Sequence, residues 1–288
     1  MTSKLPPFVF FGTPSVARDT LEHLYKHGIV PKLIVTNPDA ARGRGHIVTP
    51  SEVKVWAKEH SVPFYTPKKL DADAVKQISS YKYTFGIVVA YGKIFPKELI
   101  ESFPQGVLNI HYSILPKYRG ASPVETALKN GDTLTGVSIQ KMAPAIDAGD
   151  VYAVRGVSIL PEDTARSLRA RLVDEGAELL ASILPSFIKK ALAGTRQDET
   201  KTTFAPKIKK EDGLLKISGN HNTNWNTYRA YIENPGVYFF ANLNEKRIRV
   251  KVTRAHFEDD KFIIERIIPE GKKEQDFSDF NRTGWVPE

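Results

Sequence analysis

Along the first half of the chain, short runs of β-branched and aromatic residues alternate with stretches whose apolar positions recur every three or four residues. Such alternation marks a parallel sheet with crossover helices. Residues 8–11, 33–36, 64–66, 85–90 and 107–111 read as strands, and 16–27, 51–60, 72–81 and 96–103 as the helices between them. Two more strands are expected at 135–142 and 151–159. An amphipathic helix over 164–192 follows, which Pro185 is expected to kink or split. Thr195 to Thr203 is polar and aperiodic, so residues 195–206 read as a linker between a first domain, 1–194, and a second, 207–288. In the second, residues 237–241, 246–254 and 261–268 alternate or run apolar between turn-forming segments. The expected fold is a Rossmann-like α/β domain followed by a small β-barrel of the OB-like kind.

Composition adds limits. With 288 residues, 41% hydrophobic and 26% charged, the chain is neither disordered nor collagen-like. Its apolar runs are far shorter than the roughly 18 residues a membrane span needs, so a cytoplasmic protein with no membrane partner is expected. The absence of cysteine removes thiol nucleophiles and thiolate metal sites. A net charge of +8 favours an anionic partner without identifying it.

At the end of the fifth strand, Asn109 and His111 project to one side while Leu108 and Ile110 pack on the other. Open α/β sheets bind ligands at such strand ends. From spacing alone, a strand end whose Asn and His satisfy local backbone is as good a reading. Asp147, in a turn around Gly149, is placed to reach the His111 imidazole, although an ordinary Asp turn explains the same residues. Gly12-Thr13-Pro14-Ser15 follows a strand but lacks both a dinucleotide fingerprint and a Walker lysine. Arg42 and Arg44 lie on a glycine-flanked basic loop suited to phosphate contact or simply to solvation. No histidine has metal-ligand spacing with acids, and no metal is expected.

Taken together, Asn109-x-His111-x-Ser113-Ile114-Leu115-Pro116-x-x-Arg119-Gly120, followed 36 residues after the His by Asp147-Ala148-Gly149-Asp150, resembles the folate-dependent formyltransferase family. Phe11-Gly12-Thr13-Pro14, the loop from Pro38-Asp39 through Arg44-Gly45 to Pro50, and Pro269-Glu270-Gly271-Lys272-Lys273 are similar to the branch that acts on initiator methionyl-tRNA. Departures stand at His46-Ile47, where that loop usually stays basic, and at Ala143-Pro144-Ala145-Ile146, where the family has Asp-Glu-Gly-Leu.

The resemblance implies transfer of the formyl group of 10-formyltetrahydrofolate to the α-amine of methionine on initiator tRNA, by a protein expected to be a monomer. Asn109 and protonated His111 would face the oxyanion, Asp147 would hold the His and help move protons, and the folate would lie along Ala90-Tyr91-Gly92 and Ser113-Ile114-Leu115-Pro116. A sugar-amine formyltransferase, a formylfolate hydrolase and a catalytically idle RNA-binding module stay open as alternatives. The second domain would serve the tRNA: alternation puts Arg247, Arg249 and Lys251 on one strand face, and Lys207, Lys209 and Lys210 extend the patch. Residues 207–251 hold 9 bases against 4 acids, whereas 207–288 hold 15 against 13, so the argument rests on clustering. A solvated outer face explains the strand equally well.

Overall fold

A computed structural model of the protein describes residues 5–42 and 47–288. Its main sheet has seven strands: β1 (Phe8–Gly12), β2 (Leu33–Val35), β3 (Phe64–Tyr65), β4 (Phe85–Val89), β5 (Val107–His111), β6 (Leu134–Lys141) and β7 (Val151–Ser158). They lie in the order β7-β6-β5-β4-β1-β2-β3. The strands from β3 to β5 pair in parallel, and β6 returns antiparallel on β5 with Asn109 opposite Gln140 and His111 opposite Ser138. All five residues of β1 and of β4 are buried, as strands covered on both faces must be, which is why they read as uninterrupted apolar runs.

The crossover helices follow local signals. The first, α1 (Ser15–Lys26), buries Ala17, Thr20, Leu21 and Leu24, one stripe at helical spacing. The Ser51 hydroxyl accepts from Lys54 N to start α2 (Glu52–Glu59), and Asp71 accepts from Ala74 N to start α3 (Ala72–Ser79). After α4 (Lys97–Glu101) and α5 (Pro123–Asn130) comes α6 (Ala165–Ile188), unbroken over 24 residues. The expected kink does not split it: Pro185 falls in the last turn, where only one backbone bond is forfeited. Phe11, Tyr91, Phe95 and Phe103 form an aromatic cluster beneath the sheet, with ring centroids 4.8–6.1 Å from that of Phe11.

The chain groups into two compact units, the first made of residues up to Arg119 with Gly136–Val157 and Ala170–Thr203, the second of Gly120–Thr135, Ser158–Arg169 and Phe204–Glu288. The polar stretch expected as a linker begins with Thr195 bridged to Val151, and Thr203 O accepts from Arg119 N. The second unit is built on a five-stranded antiparallel sheet of β8 (Val237–Leu243), β9 (Lys246–Glu258), β10 (Lys261–Pro269), β11 (Gln275–Asp276) and β12 (Val286–Pro287). Register shifts between Val252 and Ala255 bend β9, giving the small curled β architecture expected. Its inner face buries Val237, Phe239, Ile248, Val250 and Ile267 under Phe280 of α8 (Phe277–Arg282). Neither α8 nor α7 (His221–Tyr231) was foreseen; α7, whose Asn-rich sequence has low propensity, is capped by Asn220 and held by burial of Thr227, Tyr228 and Tyr231. Among the described residues, no helix is long and apolar enough to cross a membrane.

Candidate active site

Asn109 and His111 point from β5 toward the turn between β6 and β7, and that turn delivers Asp147. The Asp147 backbone sits at φ +48°, a left-handed conformation that costs a non-glycine residue about 1–3 kcal/mol and is kept only where surroundings enforce it. Its Oδ2 lies 3.5 Å from His111 Nδ1. Its Oδ1 accepts from Asn109 Nδ2 at 3.3 Å and from Gln140 Nε2 at 2.7 Å. His111 is buried, with Nε2 2.8 Å from the Tyr118 carbonyl. A carbonyl only accepts, so Nε2 carries the hydrogen and Nδ1 is the nitrogen turned toward Asp147.

Two devices hold the turn in place. A Cβ on Gly149 would stand 1.7 Å from the Lys141 carbonyl, so the turn lies flat against the end of β6 only because that residue has no side chain. Gln197 then clamps it from outside: Nε2 donates to Asp147 O at 2.8 Å and to Gly149 O at 2.7 Å. Gln197 Oε1 in turn accepts from Arg119 Nε and Nη2 at 3.1 and 2.8 Å. The Arg119 guanidinium, buried to 4% exposure, is completed by a bidentate pair with Glu199 at 2.8 and 2.9 Å. The polar stretch that reads as a linker is therefore a brace for the acidic turn.

Beside Asn109, Gln140 and Asp147 opens a cavity of about 270 Å³, walled by Gly92, Lys93, Ile94, Phe95 and Ile100 on one side and by Met142 to Ile146 on the other. Burial pulls the Lys93 ammonium below its ordinary value, and its Nζ donates to the carbonyls of Pro67 and Lys68 at 2.5 and 2.9 Å, so it braces the wall. Among the described residues, no group of three or more His, Asp or Glu is arranged to hold a metal ion.

Of the residues expected to hold a folate, Gly92 lies in this wall. Ala90 is exposed at φ +46° beside it, and Tyr91 is buried in the aromatic cluster, its carbonyl accepting from Thr13 and Asn37. Ser113, Ile114, Leu115 and Pro116 do not line the cavity. The Ser113 hydroxyl donates to Lys117 O, Leu115 N donates to Ser138 Oγ, and Leu115 and Pro116 border a separate groove with Tyr152 and Arg196. Gln140, Gln197 and Lys93 were not singled out from the sequence. Only the pairing of β6 on β5 reveals Gln140 as the neighbour of Asn109.

The expected tRNA contacts fall into three groups. Arg42 ends a strand, Ala40–Arg42, that pairs with Ile47–Thr49, and Arg44 lies outside the described residues. Lys207, Lys209 and Lys210 are exposed. On the outer face of β9, Arg247 lies 3.8 Å over the Phe240 ring and Arg249 3.7 Å over the Tyr238 ring, with Lys251 exposed beside them. Arg247 is also ion-paired with Glu288 at 2.6 Å, so part of its charge is already engaged.

A family model described as formyl transferase matches residues 7–184. The methionyl-tRNA formyltransferase of Thermotoga maritima is 39% identical over 233 residues, covering 81% of this chain and 74% of that protein. That of Dictyoglomus thermophilum is 36% identical over 306 aligned positions, covering 94% and 95%. Among solved structures, the N-formyltransferase of Helicobacter canadensis, in complex with folinic acid and dTDP-3-aminofucose, is similar at a TM-score of 0.64 and 18% identity, covering 90% of this chain and 95% of that one. Phosphoribosylglycinamide formyltransferase from Bacillus halodurans gives a TM-score of 0.54 at 22% identity, covering 64% and 96%. At those identities the structural likeness speaks for the fold alone.

Proposed function

Because the chain belongs to the formyl transferase family, we infer that it transfers a formyl group to the amine of methionyl-tRNA, with 10-formyltetrahydrofolate as donor and the initiator tRNA as acceptor. The observation that carries this reading is the convergence of Asn109, His111 and Asp147 on one face of the sheet at the mouth of an apolar-walled cavity.

The walls suit a flat heterocycle: Phe95, Ile100 and Met142 supply apolar cover, and the backbone of Gly92 to Phe95 supplies edges to read it. The folate supplies an activated formyl carbon. Asn109 has one amide hydrogen turned to Asp147 and a second free to donate to the formyl oxygen as it becomes an oxyanion, a contribution worth about 3–4 kcal/mol for comparable donors. Asp147 accepts a proton from the arriving ammonium and passes it to His111 Nδ1, since Nε2 is committed to the Tyr118 carbonyl. The neutral amine adds to the formyl carbon, and collapse of the oxyanion breaks that carbon's bond to the folate nitrogen. Of the two protons the ammonium loses on becoming an amide, one is taken up by the leaving nitrogen and the other is released by way of His111.

In the second unit, the stacked guanidiniums of Arg247 and Arg249, with Lys251, make a basic outer face that follows a phosphate backbone, and Lys207, Lys209 and Lys210 add to it. The test is formyl consumption from 10-formyltetrahydrofolate with charged initiator tRNA, with an amino sugar, and with water alone. Formylated methionine in the first arm only is the expected result. Equal or greater turnover with the amino sugar or with water overturns the choice of acceptor.

A further inference from the structure

Gln140 stands opposite Asn109 in the antiparallel pair of β6 and β5, so the two side chains rise together toward the Asp147 turn. It is 1% exposed, yet it lines the cavity. Its amide has one sensible orientation. Nε2 donates to Asp147 Oδ1 at 2.7 Å, and turning the amide over would set two oxygens against each other. That orientation leaves Oε1 buried with no hydrogen-bond partner among the described residues. A buried acceptor in that state calls for a donor, and the donor has to come from whatever enters the cavity.

We propose that Gln140 is a further catalytic residue of the formyl transfer, its Oε1 accepting a hydrogen bond from the attacking amine while its Nε2 holds Asp147. The proposal rests on the formyl-transfer reading above. A primary amine attacks with its lone pair and keeps two N–H bonds. With Gln140 Oε1 accepting from one and Asp147 from the other, the lone pair has one remaining direction, toward the formyl carbon. Gln140 itself takes no proton. Its position beside Asn109, rather than along Gly92 to Phe95 where the heterocycle lies, assigns the donor to the reacting amine and not to an N–H of the folate ring.

The test uses the full-length enzyme in single turnover with charged initiator tRNA, together with the affinity for folinic acid. Wild-type transfer establishes the underlying reading, and its absence with every acceptor overturns that reading and the proposal together. Gln140→Leu, of similar volume, is expected to lose about 10²-fold in transfer rate with folinic acid affinity within about twofold of wild type. Added to Asp147→Ala, it is expected to cost a further ~10-fold, because a residue acting only by holding Asp147 has nothing left to hold. Wild-type transfer by Gln140→Leu, a loss confined to folinic acid affinity, or no further loss in the Asp147→Ala background each overturns the proposal. Should Gln140→Leu fail to fold, Gln140→Met, similarly long and without an amide oxygen, takes its place, with the same expected loss and the same contrary results.

Discussion

Replacing Gln197 by Glu exchanges a single NH2 for an oxygen and separates the two ends of the brace. Toward Arg119 the new carboxylate still accepts from Nε and Nη2 and makes those bonds charge-assisted. Toward the acidic turn it has no hydrogen to give, and an oxygen faces the Asp147 and Gly149 carbonyls at 2.7–2.8 Å. Two neutral hydrogen bonds are worth about 1 kcal/mol each net. The turn is expected to yield rather than bear the repulsion, because Pro144, Ala145 and Ile146 are exposed. Stability is therefore expected to fall by about 2 kcal/mol, roughly 3 °C in thermal midpoint for a chain of 288 residues. Activity falls much further: Asp147 sits at a φ it does not favour, and a displacement near 1 Å costs about 10²-fold. The assay is single-turnover formyl transfer at saturating folate beside a thermal melt. Gln197→Ala, which also strips Arg119 of two acceptor contacts, serves as the more destabilised control. A Gln197→Glu enzyme with the wild-type transfer rate would refute the claim that this brace positions Asp147.

Asn109→Ala, His111→Ala and Asp147→Ala are each expected to lose most of the turnover with a native circular dichroism spectrum, and their combinations to lose little more, as members of one unit do; near wild-type turnover in His111→Ala sinks the assignment. Gly149→Ala forces a Cβ into the Lys141 carbonyl and is expected to cost at least about 1–3 kcal/mol, read as a lowered thermal midpoint, with an unchanged midpoint as the contrary result. Neutralising Arg247, Arg249 and Lys251 to Gln is expected to reduce the salt slope of tRNA affinity by about 0.7 to 0.9 per lost phosphate contact, with folate binding unchanged. A wild-type slope in that variant reduces the stacked arginines to a soluble surface.

The apolar runs at residues 8–11 and 85–90 stand within a residue of β1 and β4, because strands buried on both faces leave no room for polar positions and advertise themselves. Alternation along one strand sets Asn109 and His111 on one side, whereas the grouping of Asp147 with them came from the family resemblance, since the residues alone fit an ordinary Asp turn as well. Gln140 was not legible, because its meaning lies in the cross-strand register, a long-range fact that no local window holds. Arg119 stood in the quoted motif without a role, and Gln197 and Glu199 were hidden by their polarity: a hydrogen-bonded brace and a solvated linker have the same composition and differ only in what the hydrogen bonds reach. The Asn-rich α7 was hidden by the opposite conflict, local propensity pointing away from a helix that burial imposes. Ser113 to Pro116, which the resemblance set along the folate, do not line this cavity, and their loop turns its polar groups back on itself and on Ser138.

The brace also orders events in time. Asp147 and Gln197, which clamps it, are 50 positions apart in the chain, so at a synthesis rate of about 5–20 residues per second the acidic turn is made some 3–10 s before Gln197. Throughout that interval Asn109, His111 and Asp147 are all present, and the turn rests on Gly149 and Gln140 without its outer clamp. The Glu199–Arg119–Gln197 ladder closes only once the last-made strip of the first unit, residues 170–203, is in place.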